Sequence, residues 1–116
     1  MPAQFESLIE ISNLEKVLQK FADARDWQKF HTPKNLAMAL TGEVGELVEI
    51  FQWLTEDQSR HVADDPKTAQ AVRDELADVL IYLVRLASVL GVDLNEAIEM
   101  KLVKNARKYP AKNKKT

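Results

Sequence analysis

The sequence predicts an all-α protein, a four-helix-bundle-like domain with short connections. Three observations carry that expectation. Apolar residues recur at helical spacing over most of the 116 residues, no segment alternates as a half-buried strand does, and prolines and a glycine stand where helices begin and end. A first helix is expected over about Ser7–Asp26, where Leu8, Ile11, Leu14, Leu18 and Phe21 share a face. A second runs from Pro33 to about Leu54, capped by Thr32 with Pro33 in its first turn. Thr55 and Gln58 have capping-box spacing and predict one short helical turn in the connection that follows. The next long helix starts near Pro66, capped by Asp64 or Asp65, and stops at Gly91. A last helix begins at Asp93, with Glu96 three residues on, and ends before Pro110. Residues 1–110 therefore form one domain, and 111–116 a basic, disordered tail.

The helix after Pro66 is too apolar for one partner. Val72, Leu76, Val79, Leu83, Leu86 and Leu90 form a stripe, yet Leu80, Ile81, Val84 and Val89 lie outside it. A helix that is apolar nearly all round must be covered on several sides, and in so short a chain a second copy supplies the cover. The bundle is expected to be completed by homo-oligomerisation, as a dimer or a dimer of dimers (a homotetramer).

Composition removes several classes of function. Sixteen Lys and Arg against eighteen Asp and Glu give a net charge of -2, which argues against nucleic acid as a partner. Cysteine is absent, so disulfide frameworks, thiol nucleophiles and thiolate zinc sites are excluded. Three glycines are too few for a glycine-rich phosphate loop. The N-terminus lacks the pattern of a secretory signal, and the most apolar segment, Ala77–Gly91, contains Arg85 and is too short to span a bilayer. No membrane partner and a cytoplasmic location are expected.

Chemistry concentrates in two acidic motifs, Glu43-x-x-Glu46 and Glu75-x-x-Asp78, one within each long helix. Residues three apart share a helix side, so each motif presents neighbouring carboxylates. Leu36, Leu40, Val44, Leu47, Phe51 and Leu54 occupy one arc of the second helix, with Glu43 at its edge and Glu46 just beyond. Glu75 and Asp78 flank the Val72 stripe in the same rotational sense. In an antiparallel hairpin the motifs, each roughly ten residues from the connecting end, reach the same level at about 1.5 Å rise per residue. Four carboxylates so gathered repel one another unless cations join them. Ligands that are all hard oxygens select Mg²⁺, with Mn²⁺ as a substitute, over zinc. A di-iron site is disfavoured, because His31 and His61 follow Gln28 and Gln58 where Glu-x-x-His pairs are needed.

Glu43-x-x-Glu46, 28 intervening residues and Glu75-x-x-Asp78 together resemble the signature of the all-α nucleoside triphosphate pyrophosphohydrolases, the MazG-like superfamily. The resemblance extends over Arg25-Asp26-Trp27-x-x-Phe30-His31, Gly42–Leu47 with Phe51-Gln52-Trp53, Asp78–Leu83, and Asn105-x-Arg107-Lys108-Tyr109-Pro110. Within the family these segments look most similar to the dCTP pyrophosphatase branch.

The resemblance implies a MazG-type fold and Mg²⁺-dependent hydrolysis of dCTP, or a modified dCTP-like nucleotide, to the monophosphate and pyrophosphate, a house-cleaning activity on the nucleotide pool. It assigns metal binding and catalysis to Glu43, Glu46, Glu75 and Asp78, with Glu49 a further acid within reach. It gives base recognition to Trp27, His31, Trp53 and Tyr82, and phosphate contacts to Lys101, Asn105 and Arg107, some of them reaching a neighbouring subunit. Relatives of this branch carry a His where this chain has Leu18, a departure that bears on base preference. Two other readings compete: the same fold acting on another nucleoside triphosphate, and a non-catalytic nucleotide-sensing or interaction module.

Overall fold

A computed structural model of the chain describes residues 6–112, and every regular element among them is helical. These are α1 (Ser12–Ala24), α2 (Pro33–Phe51), the short α3 (Glu56–Ser59), α4 (Pro66–Leu90) and α5 (Leu94–Lys108). Residues 113–116, most of the expected basic tail, lie outside the described residues.

Capping chemistry accounts for most boundaries. Thr32 accepts from the Asn35 amide at 3.2 Å, and the Thr55–Gln58 capping box closes in both directions at 3.1 and 2.9 Å. Of the two expected caps of α4 it is Asp65 that serves, accepting from the Lys67 amide at 3.0 Å. Gly91 ends that helix in the left-handed region at φ +70°, and Asp93 caps α5 through the Glu96 amide at 3.1 Å.

Two boundaries differ from expectation. α1 begins at Ser12 rather than near Ser7, because the preceding backbone is engaged elsewhere. Asn95 Oδ1 accepts from the Leu8 and Ile9 amides at 2.8 and 3.2 Å, and the Glu10 carboxylate takes the Ser12 amide at 2.7 Å. A side chain on α5 thus ties down the N-terminal segment. α2 ends at Phe51, short of Leu54, where the Leu54 amide closes a tighter turn on the Phe51 carbonyl at 2.9 Å.

α2 and α4 form the main helix pair, with α1 laid against α4. Glu43 meets Glu75 and Asp78, whereas His31, just before α2, meets Arg85; position rises on one helix as it falls on the other, so the pair is antiparallel. Leu36 and Val84 are fully enclosed, and Ala22, Ala69 and Ala87 are also buried.

The covered faces follow expectation in part: on α2 Leu36, Leu40, Leu47 and Phe51 of the expected arc are covered, and on α4 Val72, Val79 and Leu86 of the stripe are. On α2, Val44 is exposed while Glu43 and Ile50 are partly covered. On α4, Leu76 and Leu90 are more than half exposed, at 53% and 55%, while Glu75, Asp78, Tyr82 and Arg85 are turned under cover. Glu43, Glu75 and Asp78 therefore lie in the seam between the helices, with Glu46 outside it. The displaced apolar residues form an outer face with Leu80, Leu83 and Val89. The molecule is also open: its radius of gyration is 17.9 Å, against about 13 Å for a compact domain of this length.

Candidate functional site

Three carboxylates converge across the α2–α4 seam. One oxygen each from Glu43, Glu75 and Asp78 lies within 4.8 Å of the other two, and all three side chains are half-buried. The i, i+3 spacing puts Glu75 and Asp78 on one side of α4, and the antiparallel register brings Glu43 opposite. Glu43 Oε2 and Glu75 Oε2 are sealed from solvent with no hydrogen-bond partner. Burial raises the Glu43 carboxyl above its ordinary range, helped by the charges of Glu46 and Asp78. Glu75 is pushed up to about 7, chiefly by burial and then by hydrogen bonding to and repulsion from Glu46 and Glu43.

Orphaned buried oxygens are costly when nothing meets them. Here they occur as an all-oxygen set on two rigid helices, which fits a hard divalent cation. Glu46, itself exposed, stands close enough to perturb Glu43 and Glu75 without joining the tight trio. It shares a surface recess with Glu49, Ile50, Ala71 and Glu75.

Beside the acids is a cavity of about 310 Å³ lined by Leu18, Phe21, Ala22, Trp27, His31, Asp78, Ile81, Tyr82 and Arg85. Asp78 belongs to both the cavity and the acidic trio, so the two features share a wall. The chain reversal after α1 builds its mouth. Asp26 adopts φ +55°, a left-handed conformation that Asp tolerates better than most residues, and the Trp27 amide then bonds back to Ala22 O at 2.9 Å. Trp27 meets Phe21 edge-on at 5.6 Å between centroids and lies 5.8 Å from the His31 ring. The Arg25 guanidinium covers the Phe21 ring at 3.4 Å.

Three of the four expected base-reading residues, Trp27, His31 and Tyr82, are thus brought together. Trp53 is not: it is 87% exposed beyond the end of α2. Lys101, Asn105 and Arg107 ride on α5 and line neither the cavity nor the acidic seam.

Sequence reasoning passed over Arg85, noted only as a charge that interrupts an apolar segment. It is 4% exposed, with Nε donating to His31 Nδ1 at 3.0 Å and Nη1 to Gln19 Oε1 at 2.7 Å. That interruption was the available signal, since a cation within so apolar a helix needs a reason.

An antiparallel helical pair with a carboxylate cluster in its seam, and an aromatic cavity sharing one of those acids, defines an all-α architecture of one class. The chain belongs to the MazG-like family, which it matches over residues 39–116. It is 43% identical over 109 residues to dCTP pyrophosphatase 1 of Bos taurus, covering 94% of this chain and 64% of the relative. Against dCTP pyrophosphatase 1 of Homo sapiens it is 46% identical over 101 residues, or 87% of this chain and 59% of that one. The chain thus spans less than two thirds of the length of these relatives. Among solved structures it is similar to a pyrophosphatase from Archaeoglobus fulgidus, with a TM-score of 0.81 and 42% identity over 92% of this chain and 98% of the other.

Proposed function

We propose that the chain is a divalent-metal-dependent pyrophosphohydrolase that converts dCTP, or a dCTP-like nucleotide, to the monophosphate and pyrophosphate. The observation that carries this reading is the shared wall: Asp78 is at once a member of the carboxylate trio and a lining residue of the aromatic cavity. A base held by the cavity would leave its triphosphate beside the acids. Similarity to dCTP pyrophosphatase 1 and to a pyrophosphatase of known structure supports the same chemistry.

In this reading Glu43, Glu75 and Asp78 hold the cation, Mg²⁺ by preference for an all-oxygen set, and Glu46 completes the acidic group. Bound there, the cation would offset the triphosphate charge and polarise the α-phosphate. Water adds at the α-phosphorus and the bond to the α,β-bridging oxygen breaks, so pyrophosphate departs. One of the carboxylates takes the water's proton. Trp27 and Tyr82 stack or flank the base, and His31 hydrogen-bonds it.

The exposed outer face of α4 and the open shape support assembly into a homodimer or a dimer of dimers. Large apolar side chains such as Leu76, Leu80 and Leu90 would otherwise face water together. Trp53, Lys101, Asn105 and Arg107 lie away from the site of their own chain, so their roles in base and phosphate binding require a neighbouring copy. No helix among the described residues is long and apolar enough to cross a membrane.

Pyrophosphate release from a panel of nucleoside triphosphates, with Mg²⁺, Mn²⁺ or EDTA, tests the proposal. Metal-dependent release is expected, strongest for dCTP-like substrates. Glu46→Gln and Asp78→Asn should abolish it while the helical circular dichroism is unchanged. Release from no nucleotide under any divalent metal would refute the reading and favour a nucleotide-sensing module.

A further inference from the structure

Arg85 is the one residue among those lining the cavity that combines near-complete burial with a full charge. It is 4% exposed and forms no ion pair with any carboxylate among the described residues. Leaving a guanidinium in that state is expensive unless its donors are spent. Two are: Nε bonds His31 Nδ1 and Nη1 bonds Gln19 Oε1. Of the five N–H groups a guanidinium carries, the other three meet no hydrogen-bond partner among the described residues. Nη2, unpaired, is not sealed from solvent. It therefore retains access to space, and the cavity is the space that Arg85 lines.

The His31 contact carries further information. A guanidinium can only donate, so His31 Nδ1 must accept, and the ring proton of neutral His31 sits on Nε2. Every free polar position on these two side chains is thus a donor. The Trp27 indole adds another, and the Tyr82 hydroxyl can serve either way. Asp78, the one acceptor-only side chain on the lining, is turned to the acidic trio.

We propose that Arg85 is a specificity-determining residue of the cavity, fixing His31 as a donor and adding its own spare N–H groups to present an edge that selects bases with two adjacent acceptors. Cytosine offers such an edge at O2 and N3. Uracil and thymine place an N3–H between their carbonyls, which would oppose donor to donor. Guanine also has two adjacent acceptors, O6 and N7. The inference rests on the nucleotide reading above and deepens it: this chain rejects uracil and thymine through Arg85, and the test below separates cytosine from guanine. Sites built to hydrogen-bond a given edge discriminate far better than apolar pockets do, because a mismatched group leaves buried polar atoms unpaired.

The experiment compares the unaltered protein with Arg85→Met, which keeps the aliphatic stem, and Arg85→Lys, which keeps the charge but not the Nε donor. Steady-state pyrophosphate release is measured for dCTP, dUTP, dTTP and dGTP, and binding of dCMP, dUMP and dGMP is measured by calorimetry without metal. In the unaltered protein the cytosine nucleotides should exceed the uracil and guanine ones in both assays. In Arg85→Met the cytosine-to-uracil ratio of kcat/KM should fall about tenfold, mainly through KM for dCTP, the scale of one charge-assisted hydrogen bond. Arg85→Lys should recover only part of the ratio. A uniform loss across all bases, or an unchanged ratio, would reduce Arg85 to a clamp between α1 and α4 and overturn the proposal. Preference for guanine would keep the donor edge and overturn the cytosine assignment. Should Arg85→Met fail to fold, the ¹⁵N resonances of His31 in the unaltered protein decide the point: a proton on Nδ1 refutes it, one on Nε2 supports it. A chain that releases no pyrophosphate, yet binds dCMP over dUMP in an Arg85-dependent way, would refute the hydrolytic reading and leave this inference standing.

Discussion

Lowering the pH from 8 to 6 should weaken divalent-cation binding by about tenfold through one carboxyl group. Glu75 is pushed up to about 7 by burial, then by its hydrogen bonding to and repulsion from Glu46 and Glu43. A group with that pKa is about nine-tenths ionised at pH 8 and about one-tenth at pH 6, and a cation takes only the ionised form. Glu43, raised mainly by burial, steepens the dependence. Mg²⁺ titrations at three pH values, in buffers of different ionisation enthalpy, read the affinity and the protons released, roughly half a proton or more per site near pH 7. The sign for stability follows from the same shift. Between the unfolded carboxyl value of 4.5 and the folded value of about 7, the metal-free native state binds more protons than the unfolded chain. Its stability therefore falls as pH rises through that window and levels off above it. Added Mg²⁺ should restore stability most where the apo-protein has lost most, above pH 7. Glu75→Gln should flatten the stability profile and weaken binding at every pH. Equal affinity at pH 6 and 8, with no proton release, would refute the assignment of Glu75 as a shielded ligand.

Other substitutions probe the scaffold and its assembly. Leu36→Ala empties a site that is 1% exposed, and urea denaturation should register a loss of about 3 kcal/mol. Gly91→Ala meets no atom within 4 Å but must hold φ +70°, so it should cost about 1 kcal/mol by the same assay. Trp53→Ala removes a side chain that is 87% exposed; chain stability should change by less than about 0.5 kcal/mol, while KM for the nucleotide rises if the indole serves a neighbouring copy. Leu80→Asp places a charge on the outer face of α4 and should lower the mass seen by sedimentation, with helical circular dichroism retained.

Local chemistry was legible in the chain: the caps at Thr32, Thr55 and Asp93 and the stop at Gly91 act within a few residues, so reading along the sequence located them. The acidic motifs were legible for the same reason, because i, i+3 spacing places carboxylates together whatever the rest of the fold does. The facing arc of α2 was legible too, apart from Val44, but which way α4 turns was not. Apolar stripes on α4 point in two directions, and periodicity cannot say which faces α2 and which faces outward. Packing resolves the choice in favour of Glu75, Asp78 and Tyr82 and leaves Leu76 and Leu90 outside, so the carboxylates lie in the seam. The late start of α1 and the burial of Arg85 have a related cause. Asn95 reaches Leu8 and Ile9 across 87 and 86 positions, and Arg85 reaches His31 and Gln19 across 54 and 66. Pairings over such separations leave no periodic trace, since they arise only when distant segments are brought within a hydrogen bond of one another.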